Sequence, residues 1–251
     1  MPRTATLLRN WVLALVTPRP LVGGRYLPRY FRDWVRYARL DGSAPRVADS
    51  YPCLVDWTPT TPFDPHYFYQ GAWLARHVAA KRPARHVDVG SSVLTLSVLS
   101  AQTEVLFVDY RPLAAGLPGL AAIGGDIKRL PFADASIASL SCLHVIEHIG
   151  LGRYGDPLDA RGSHRAAAEL ARVLAPGGRL YLSVPIGRER TCFNAHRVFA
   201  PETVVGMAVP LRLESFALVD DAGRFRDGAP LERARDLDYG CGMFELAKPA
   251  T

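Results

Sequence analysis

The sequence lacks the features that mark several well-defined protein classes. Its four cysteines are scattered and form no C-x-x-C pair, which argues against a zinc ribbon or a thioredoxin motif. No stretch of 18 or more apolar residues occurs, so the sequence predicts no transmembrane helix. The apolar run from Trp11 to Val16 ends before Pro18 and is too short for a secretory signal. We therefore expect reduced thiols in a cytoplasmic protein.

Excess basic charge is absent from most of the chain. Residues 1–50 contain nine arginines and three aspartates, whereas the other 201 residues contain 21 basic and 21 acidic side chains. The formal net charge of +6 therefore belongs to the N-terminal segment. A nucleic-acid substrate is disfavoured, because phosphate binding needs a clustered basic surface that residues 51–251 do not provide.

The first fifty residues predict two amphipathic helices. Apolar residues recur on one face from Leu7 to Val16, and a second apolar face runs from Leu27 to Ala38. The opposite face of the second helix carries a row of arginines, namely Arg25, Arg29, Arg32, Arg36 and Arg39. A helix docked on the main domain is the favoured interpretation. Peripheral contact of residues 1–45 with an anionic membrane is the alternative, and nucleic-acid binding is the least favoured.

From residue 86 onward, short apolar segments alternate with helical patterns. Strands are predicted at 86–89, 104–108, 136–143, 179–184, 213–219 and 241–247, and a helix is predicted from the aromatic cluster at 63–70 to about residue 80. This alternation is typical of βαβ units. We expect an α/β protein with a doubly wound, mostly parallel Rossmann-like sheet in residues 51–251, preceded by a basic amphipathic helical extension in residues 1–50.

Two acidic residues end the first two predicted strands. Asp88 belongs to a D-V-G-S-S turn, and Asp109 follows 21 residues later. Nucleotide-binding folds place a carboxylate on ribose hydroxyls at this interval, although a simple strand-end cap is the alternative for Asp109. The G-x-G-x-x-G motif is missing, which argues against a dinucleotide-dependent dehydrogenase.

Five motifs in order resemble the class I S-adenosylmethionine-dependent methyltransferases. They are the D-V-G turn, Asp109, Gly125-Asp126 followed by Leu130-Pro131-Phe132, the segment His144–His148, and Leu174–Gly178. A finer resemblance connects residues 50–247 to a related domain family of unknown function. It depends on Tyr51–Leu54, Phe63–Gln70, Gly150–Pro157 and Pro185–Arg190.

The wider resemblance implies S-adenosylmethionine as the cofactor. It assigns Asp88, Gly90 and Ser91 to the methionine portion and Asp109 to the ribose. The adenine would face Asp126 and Ile127, while Leu143 and His144 would close the pocket. The sequence departs from the D-x-G-x-G pattern at Ser92, where any positive φ would be costly for a residue other than glycine.

Histidine is the natural base for a hydroxyl acceptor, and three residues after the fourth strand are candidates. His144, Glu147 and His148 would share one face if this segment is helical. Because H-V-I-E-H is not the H-E-x-x-H motif of zinc proteases, we expect no metal. The predicted catalytic residues are His148, His196 and Glu147, and the predicted substrate-binding residues are His66, Tyr67, Arg153, Tyr154, Arg188 and Asn194. Hydrogen-bonded or packing roles are the alternatives.

Together these patterns predict methyl transfer from S-adenosylmethionine to a small-molecule or carbohydrate-like acceptor, with O-methylation slightly preferred. The alternative is a noncatalytic S-adenosylmethionine-binding or scaffold module of a membrane-associated assembly. The sequence makes no prediction of an oligomeric state.

Overall fold

A computed structural model describes Trp11 and residues 24–250 of the chain. The predicted helix between Leu7 and Val16 falls outside the described residues, apart from Trp11. Contacts within the chain separate it into two units, Met1–Phe63 and Asp64–Thr251.

The first unit contains the predicted arginine-rich helix, α1 (Leu27–Asp41). The helix ends where Gly42 adopts a left-handed φ of 74°, a conformation that glycine adopts at little cost. The Trp11 ring packs against Tyr30 and Phe31 at centroid distances of 5.9 and 6.1 Å, and its Nε1 donates a hydrogen bond of 2.9 Å to Ser50 Oγ. No residue of α1 is buried, so this helix leaves both arginines and apolar side chains exposed.

The second unit is built on an eight-stranded sheet and a separate two-stranded hairpin. The sheet contains β1 (Arg85–Val89), β2 (Glu104–Asp109), β3 (Leu120–Gly124), β4 (Ile137–Leu143), β5 (Leu174–Ile186), β8 (Arg212–Val219), β9 (Phe225–Arg226) and β10 (Gly240–Ala247). The hairpin contains β6 (Arg190–Cys192) and β7 (His196–Val198). The order in the sheet is β3-β2-β1-β4-β5-β10-β8-β9. The first five strands are parallel, while β10 runs antiparallel between β5 and β8.

Helices cover both faces of this sheet, as expected for a doubly wound fold. They are α2 (Pro65–Lys81), α3 (Val93–Leu99), α4 (Gly162–Val173) and α5 (Pro201–Met207). Side chains of α4 and α5 pack in one apolar cluster, and those of α2 and α3 pack in another. Neighbouring residues of β5 point to opposite clusters, because Leu180 and Leu182 belong to the first and Tyr181 to the second. The predicted fold class is therefore confirmed.

The six predicted strands correspond to β1, β2, β4, β5, β8 and β10. The prediction missed β3, because its Leu-Ala-Ala-Ile-Gly sequence is short, weakly apolar and only partly buried. It also placed the start of β5 five residues late. Leu174 already pairs with Ile137, and a register shift precedes the pair between Arg179 and Ser139. No helix among residues 24–250 is long and apolar enough to cross a bilayer.

A row of polar side chains crosses the buried strands β1 and β4. Ser141 Oγ donates to Asp88 Oδ2 and lies 2.8 Å from His86 Nε2. Because the Ser141 proton is used toward Asp88, its oxygen accepts the proton of His86 Nε2. Ser139 Oγ, 2.8 Å from His86 Nδ1, then acts as the donor on the other side of the ring. Burial lowers the pKa of His86 to about 4 and raises the pKa of Asp88 to about 6, so His86 is neutral at neutral pH.

We expect Ser141→Ala to lower the free energy of unfolding by about 2–3 kcal/mol, because it leaves the buried His86 N–H without an acceptor and removes a donor to Asp88. Chemical denaturation measures this loss. Ser136→Ala is the matched control, since Ser136 is exposed on the turn before β4 and its hydroxyl bonds, among the described residues, only the carbonyl of Ala133. Its effect should stay within about 0.5 kcal/mol. Equal losses in the two variants would contradict the assigned relay.

Candidate functional site

A cavity of about 240 Å³ opens at the carboxyl ends of β1, β2 and β4. Ligands of open parallel sheets bind at this edge. Two of its carboxylates order their own loops, because Asp109 Oδ1 accepts from Arg111 N at 2.7 Å and Asp126 Oδ1 accepts from Lys128 N at 2.9 Å. The lining includes five of the predicted cofactor-binding residues, namely Gly90, Asp109, Asp126, Ile127 and His144. We refer to this space as the first cavity.

The turn after β1 requires a glycine at position 90. Gly90 has a φ of +72°, and a Cβ atom there would lie 3.0 Å from Val145 Cγ1 and 3.7 Å from Asp109 Oδ2. Ser92, by contrast, has a φ of −62° and directly precedes α3. The cost expected for serine in place of the second glycine therefore does not arise at the backbone.

Three other predicted cofactor-binding residues are not among those that line the first cavity. Asp88 is completely buried, and its Oδ1 accepts from Ser91 N at 3.0 Å. Ser91 Oγ in turn accepts from Leu143 N at 2.8 Å. These bonds attach the turn after β1 to the end of β4 and so hold Gly90 in place. Direct contact of Asp88, Ser91 or Leu143 with a ligand stays a prediction.

A second cavity of about 290 Å³ adjoins the first. The two share His144, His148 and Tyr154. Most side chains of the second cavity are polar, and they are Asp64, His66, Tyr67, Glu147, Arg153, His196 and Tyr239 in addition to the shared three. An acceptor for this space would be a polar molecule.

Glu147 lies beside His144 and His148 in the wall between the cavities and lines only the second cavity. Its carboxylate is fully buried, with Oε1 3.1 Å from His144 Nδ1 and 3.7 Å from His148 Nε2. Among the described residues, neither carboxylate oxygen has an aligned hydrogen bond, so the 3.1 Å contact with His144 is a charge pair rather than a hydrogen bond. Residues Ile146–His148 form a single 3₁₀ turn, and the three side chains converge, as expected if this segment is helical.

His144 is the most strongly perturbed residue of this wall. Its φ of +53° is rare for a residue other than glycine, and its Nε2 lies 3.3 Å from Cys241 Sγ. Burial alone would lower the pKa of His144, but the thiol of Cys241 and the carboxylate of Glu147 outweigh burial and raise this pKa to about 10. The side chain is therefore cationic at neutral pH when no other cation is near.

His148 is fixed by the backbone of the β6–β7 hairpin. Its Nδ1 lies 2.6 Å from the carbonyl oxygen of Ala195, so Nδ1 carries the proton and donates it. Arg153 Nη1 donates to the same oxygen at 3.0 Å. The neutral ring then has its free lone pair on Nε2, on the side of Glu147. A fixed tautomer of this kind suits a general base.

Comparisons with known proteins give a partial family match and a set of similar solved structures. Residues 133–223 match the family described as "Caenorhabditis protein of unknown function, DUF268". No curated protein sequence matches the chain. The N-methyltransferase NodS from Bradyrhizobium japonicum WM9, solved in complex with S-adenosyl-L-homocysteine, matches with a TM-score of 0.52 and 17% identity over 74% of this chain and 89% of NodS. YcgJ from Bacillus subtilis gives a TM-score of 0.52 and 15% identity over 72% of this chain and 99% of its own.

The chain has the class I methyltransferase fold. The resemblance stated from the motif order is thus confirmed at the level of fold. Within this fold, the first cavity contains the carboxylate after β2, and the second cavity lies over the end of β4.

The structure divides the predicted substrate-binding residues of this chain into two groups. His66, Tyr67, Arg153 and Tyr154 line the second cavity, as does the predicted catalytic residue His196. Arg188 instead pairs with Asp238 at 3.0 Å in an exposed position, and Asn194 is exposed in the β6–β7 connection. Burial lowers the pKa of both His66 and His196, and the cationic His144 beside His66 lowers the pKa of His66 further, so both rings favour the neutral form.

The sequence analysis missed Asp64, Tyr239 and Cys241. Asp64 caps α2, because its Oδ1 accepts from His66 N at 2.9 Å and from Tyr67 N at 3.3 Å. An Asp-Pro pair before a helical pattern is a recognisable cap signal. Tyr239 and Cys241 reach the site only because the first residues of β10 pair with the end of β5, where Cys241 lies opposite Pro185. Local sequence pattern carries no signal for that pairing.

Proposed function

We propose that this protein transfers a methyl group from S-adenosylmethionine to a polar small-molecule or carbohydrate-like acceptor, with a hydroxyl oxygen as the preferred acceptor atom. One observation carries the proposal. The two cavities at the sheet edge share His144, His148 and Tyr154. Adjacent cavities let one protein hold a donor and an acceptor in contact, and that positioning is the main requirement for a direct transfer.

The residues of the first cavity fit an adenosyl ligand. Asp109 offers a carboxylate that can accept hydrogen bonds from both hydroxyls of a ribose. Asp126 and the buried Ile127 supply a polar edge and an apolar wall for a flat base. Because Gly90 has no Cβ atom, its backbone can approach the ligand closely and leaves room for the rest of the ligand. When bound, S-adenosylmethionine supplies an electrophilic methyl group.

The residues of the second cavity supply acceptor contacts and a base. His66, Tyr67, Arg153, Tyr154 and His196 offer donors and acceptors for a hydroxylated molecule. His148 Nε2, with Nδ1 fixed on the Ala195 carbonyl, is positioned to take the acceptor proton. Glu147 then stabilises the resulting imidazolium from 3.7 Å. This assignment favours oxygen over nitrogen as the acceptor atom, because neutral amines need no base before attack.

Calorimetric titration with S-adenosylmethionine and S-adenosylhomocysteine tests the first half of the proposal. We expect saturable binding of both. Transfer of a labelled methyl group to panels of polyhydroxylated and amine compounds tests the second half, with preference for the hydroxylated panel expected. Binding without transfer to either panel would favour the noncatalytic module instead. Absence of binding in a folded sample would reject methyl transfer and leave the scaffold role as the better alternative.

A peripheral membrane role for the first unit is supported by the exposure of α1. Phe31, Val35 and Leu40 are 52%, 47% and 87% exposed, alongside the row of arginines. Exposed apolar and basic side chains on one helix are typical of binding at an anionic membrane interface. In this proposal the protein is cytoplasmic and reversibly attached to the membrane surface.

We expect the full chain to float with liposomes that contain anionic lipid and to stay behind with neutral liposomes. Replacing Arg32, Arg36 and Arg39 with glutamine should weaken flotation at least about 10-fold, since each basic residue near such a surface contributes about 1 kcal/mol. The matched control replaces Arg85, Arg212 and Arg233, which are exposed in the second unit. Equal flotation of the two triple variants would reject membrane contact through α1. Flotation of a chain lacking residues 1–45 at the level of the full chain would also reject it.

A further inference from the structure

Three potential metal ligands from distant parts of the chain converge beside the second cavity. His66 lies in the first turn of α2, His144 follows β4, and Cys241 is the second residue of β10. One ligand atom of each residue lies within 4.8 Å of the other two. We propose that these three side chains bind a divalent transition-metal ion, with Zn²⁺ as the best match, and leave one coordination position open toward the acceptor.

The distances are close to those that coordination requires. Zinc bonds of about 2.0–2.1 Å to nitrogen and 2.3 Å to sulfur, arranged as a tetrahedron, separate neighbouring ligand atoms by about 3.3–3.6 Å. His144 Nε2 and Cys241 Sγ are already 3.3 Å apart. The His66 ring lies against that of His144 at a centroid distance of 5.6 Å. Because the three ligand atoms lie within 4.8 Å of one another, a side-chain rotation that moves the His66 ring nitrogen by roughly 1–1.5 Å completes the set.

Glu147 provides the second observation. Metal-bound histidines usually direct their other ring nitrogen toward a carboxylate, which fixes the ring and strengthens the metal bond. His144 has this arrangement, with Nε2 on the side of Cys241 and Nδ1 3.1 Å from Glu147 Oε1. Within the described part of the chain, both oxygens of the fully buried Glu147 lack an aligned hydrogen bond. A cation bound through His144 would compensate this buried negative charge.

The donor set selects the metal and its role. Thiolate and imidazole ligands favour zinc over magnesium or calcium, and three protein ligands with an open fourth position are typical of catalytic zinc sites. Binding releases the proton of Cys241 and, because His144 is cationic without the metal, the proton of His144 Nε2 as well. In a role that rests on the proposed function, the ion would polarise the acceptor hydroxyl in the cavity that His148 also lines. The expectation of no metal came from the H-V-I-E-H segment alone, which contains only one of the three ligands.

Titration of the metal-free full-length protein with Co²⁺, followed by absorption spectroscopy, tests this site. We expect one equivalent of Co²⁺ to bind and to give a thiolate-to-metal charge-transfer band. Addition of Zn²⁺ should displace the Co²⁺ and remove this band. Cys241→Ser should remove the band and weaken binding at least about 10-fold. Cys192→Ser, at a cysteine of the hairpin, should keep both. His66→Ala should also weaken binding, whereas His164→Ala, at an exposed position of α4, should not.

Absence of the charge-transfer band in the wild-type protein, or a band that survives Cys241→Ser, would overturn the proposal. Circular dichroism shows whether the Cys241→Ser variant is folded, and if it is not, the comparison of His66→Ala with His164→Ala decides. Calorimetry with S-adenosylhomocysteine on the same sample separates the two proposals. Metal binding without cofactor binding would keep the metal site and reject the methyl donor. Cofactor binding without metal binding would keep the methyl donor and reject the metal site.

Discussion

Replacing Asp109 with alanine is expected to lower the affinity for S-adenosylhomocysteine at least about 100-fold. Asp109 ends β2 at the mouth of the first cavity, where its carboxylate can accept two hydrogen bonds from ribose hydroxyls. A hydrogen bond to a charged group contributes about 1.5–3 kcal/mol, so the loss of two corresponds to a hundredfold change or more. Calorimetric titration of the folded variant measures the effect directly.

Glu104→Ala is the matched control for this substitution. It removes an exposed carboxylate from the opposite end of the same strand, far along β2 from the cavity. Its affinity should equal that of the wild-type chain. If Asp109→Ala also bound normally, Asp109 would be a strand-end cap whose task is to accept the Arg111 N–H.

The second large effect is expected from His148→Gln, which should lower kcat about 100-fold once an acceptor is in hand. Glutamine retains an amide N–H that can donate to the Ala195 carbonyl, so the hairpin contact survives. It cannot take a proton, however. The pH–rate profile of the variant should therefore lose its acidic limb, while the affinity for S-adenosylhomocysteine changes by less than about threefold.

A purely structural role for His148 makes the opposite prediction. In that case glutamine would restore kcat to near the wild-type value and alanine would not, and the shape of the pH–rate profile would be unchanged in both. His164→Ala is the control for the loss of a histidine, because that residue is exposed on α4 and outside both cavities.

Local patterns were sufficient to predict the sheet and part of the first cavity. Asp109 and Asp126 follow strands or turns whose positions the apolar alternation reveals, because residues at the ends of parallel strands meet at one edge. Strand β3 was missed, since its two alanines and partial exposure give too weak a pattern. The backbone of Ser92 could not be predicted either, because a sequence specifies which residues tolerate a positive φ but not where the chain adopts one.

Several side chains of the second cavity were predicted as site residues, because they belong to motifs at the start of α2 and after β4 and β5. They include His66, Tyr67, His148, Arg153, Tyr154 and His196. Cys241 and Tyr239 enter through the antiparallel insertion of β10 beside β5, a long-range pairing with no local signature. The convergence of His66 with His144 has the same origin, since α2 precedes the sheet by many residues and reaches the site through tertiary packing.

The side chain of Asp64 has two roles, one in helix α2 and one in the second cavity. It starts α2 through its bonds to His66 N and Tyr67 N, and it also lines the second cavity. Replacing a capping aspartate by alanine costs about 1 kcal/mol of helix stability. Evolution of a new acceptor preference is therefore constrained at position 64, where only asparagine, serine and the other capping residues can replace aspartate without loss of helix stability. Divergence of specificity among relatives should concentrate instead at Tyr67 and His196, whose side chains cap no helix. Arg153 has a structural role of its own, because it donates to the Ala195 carbonyl.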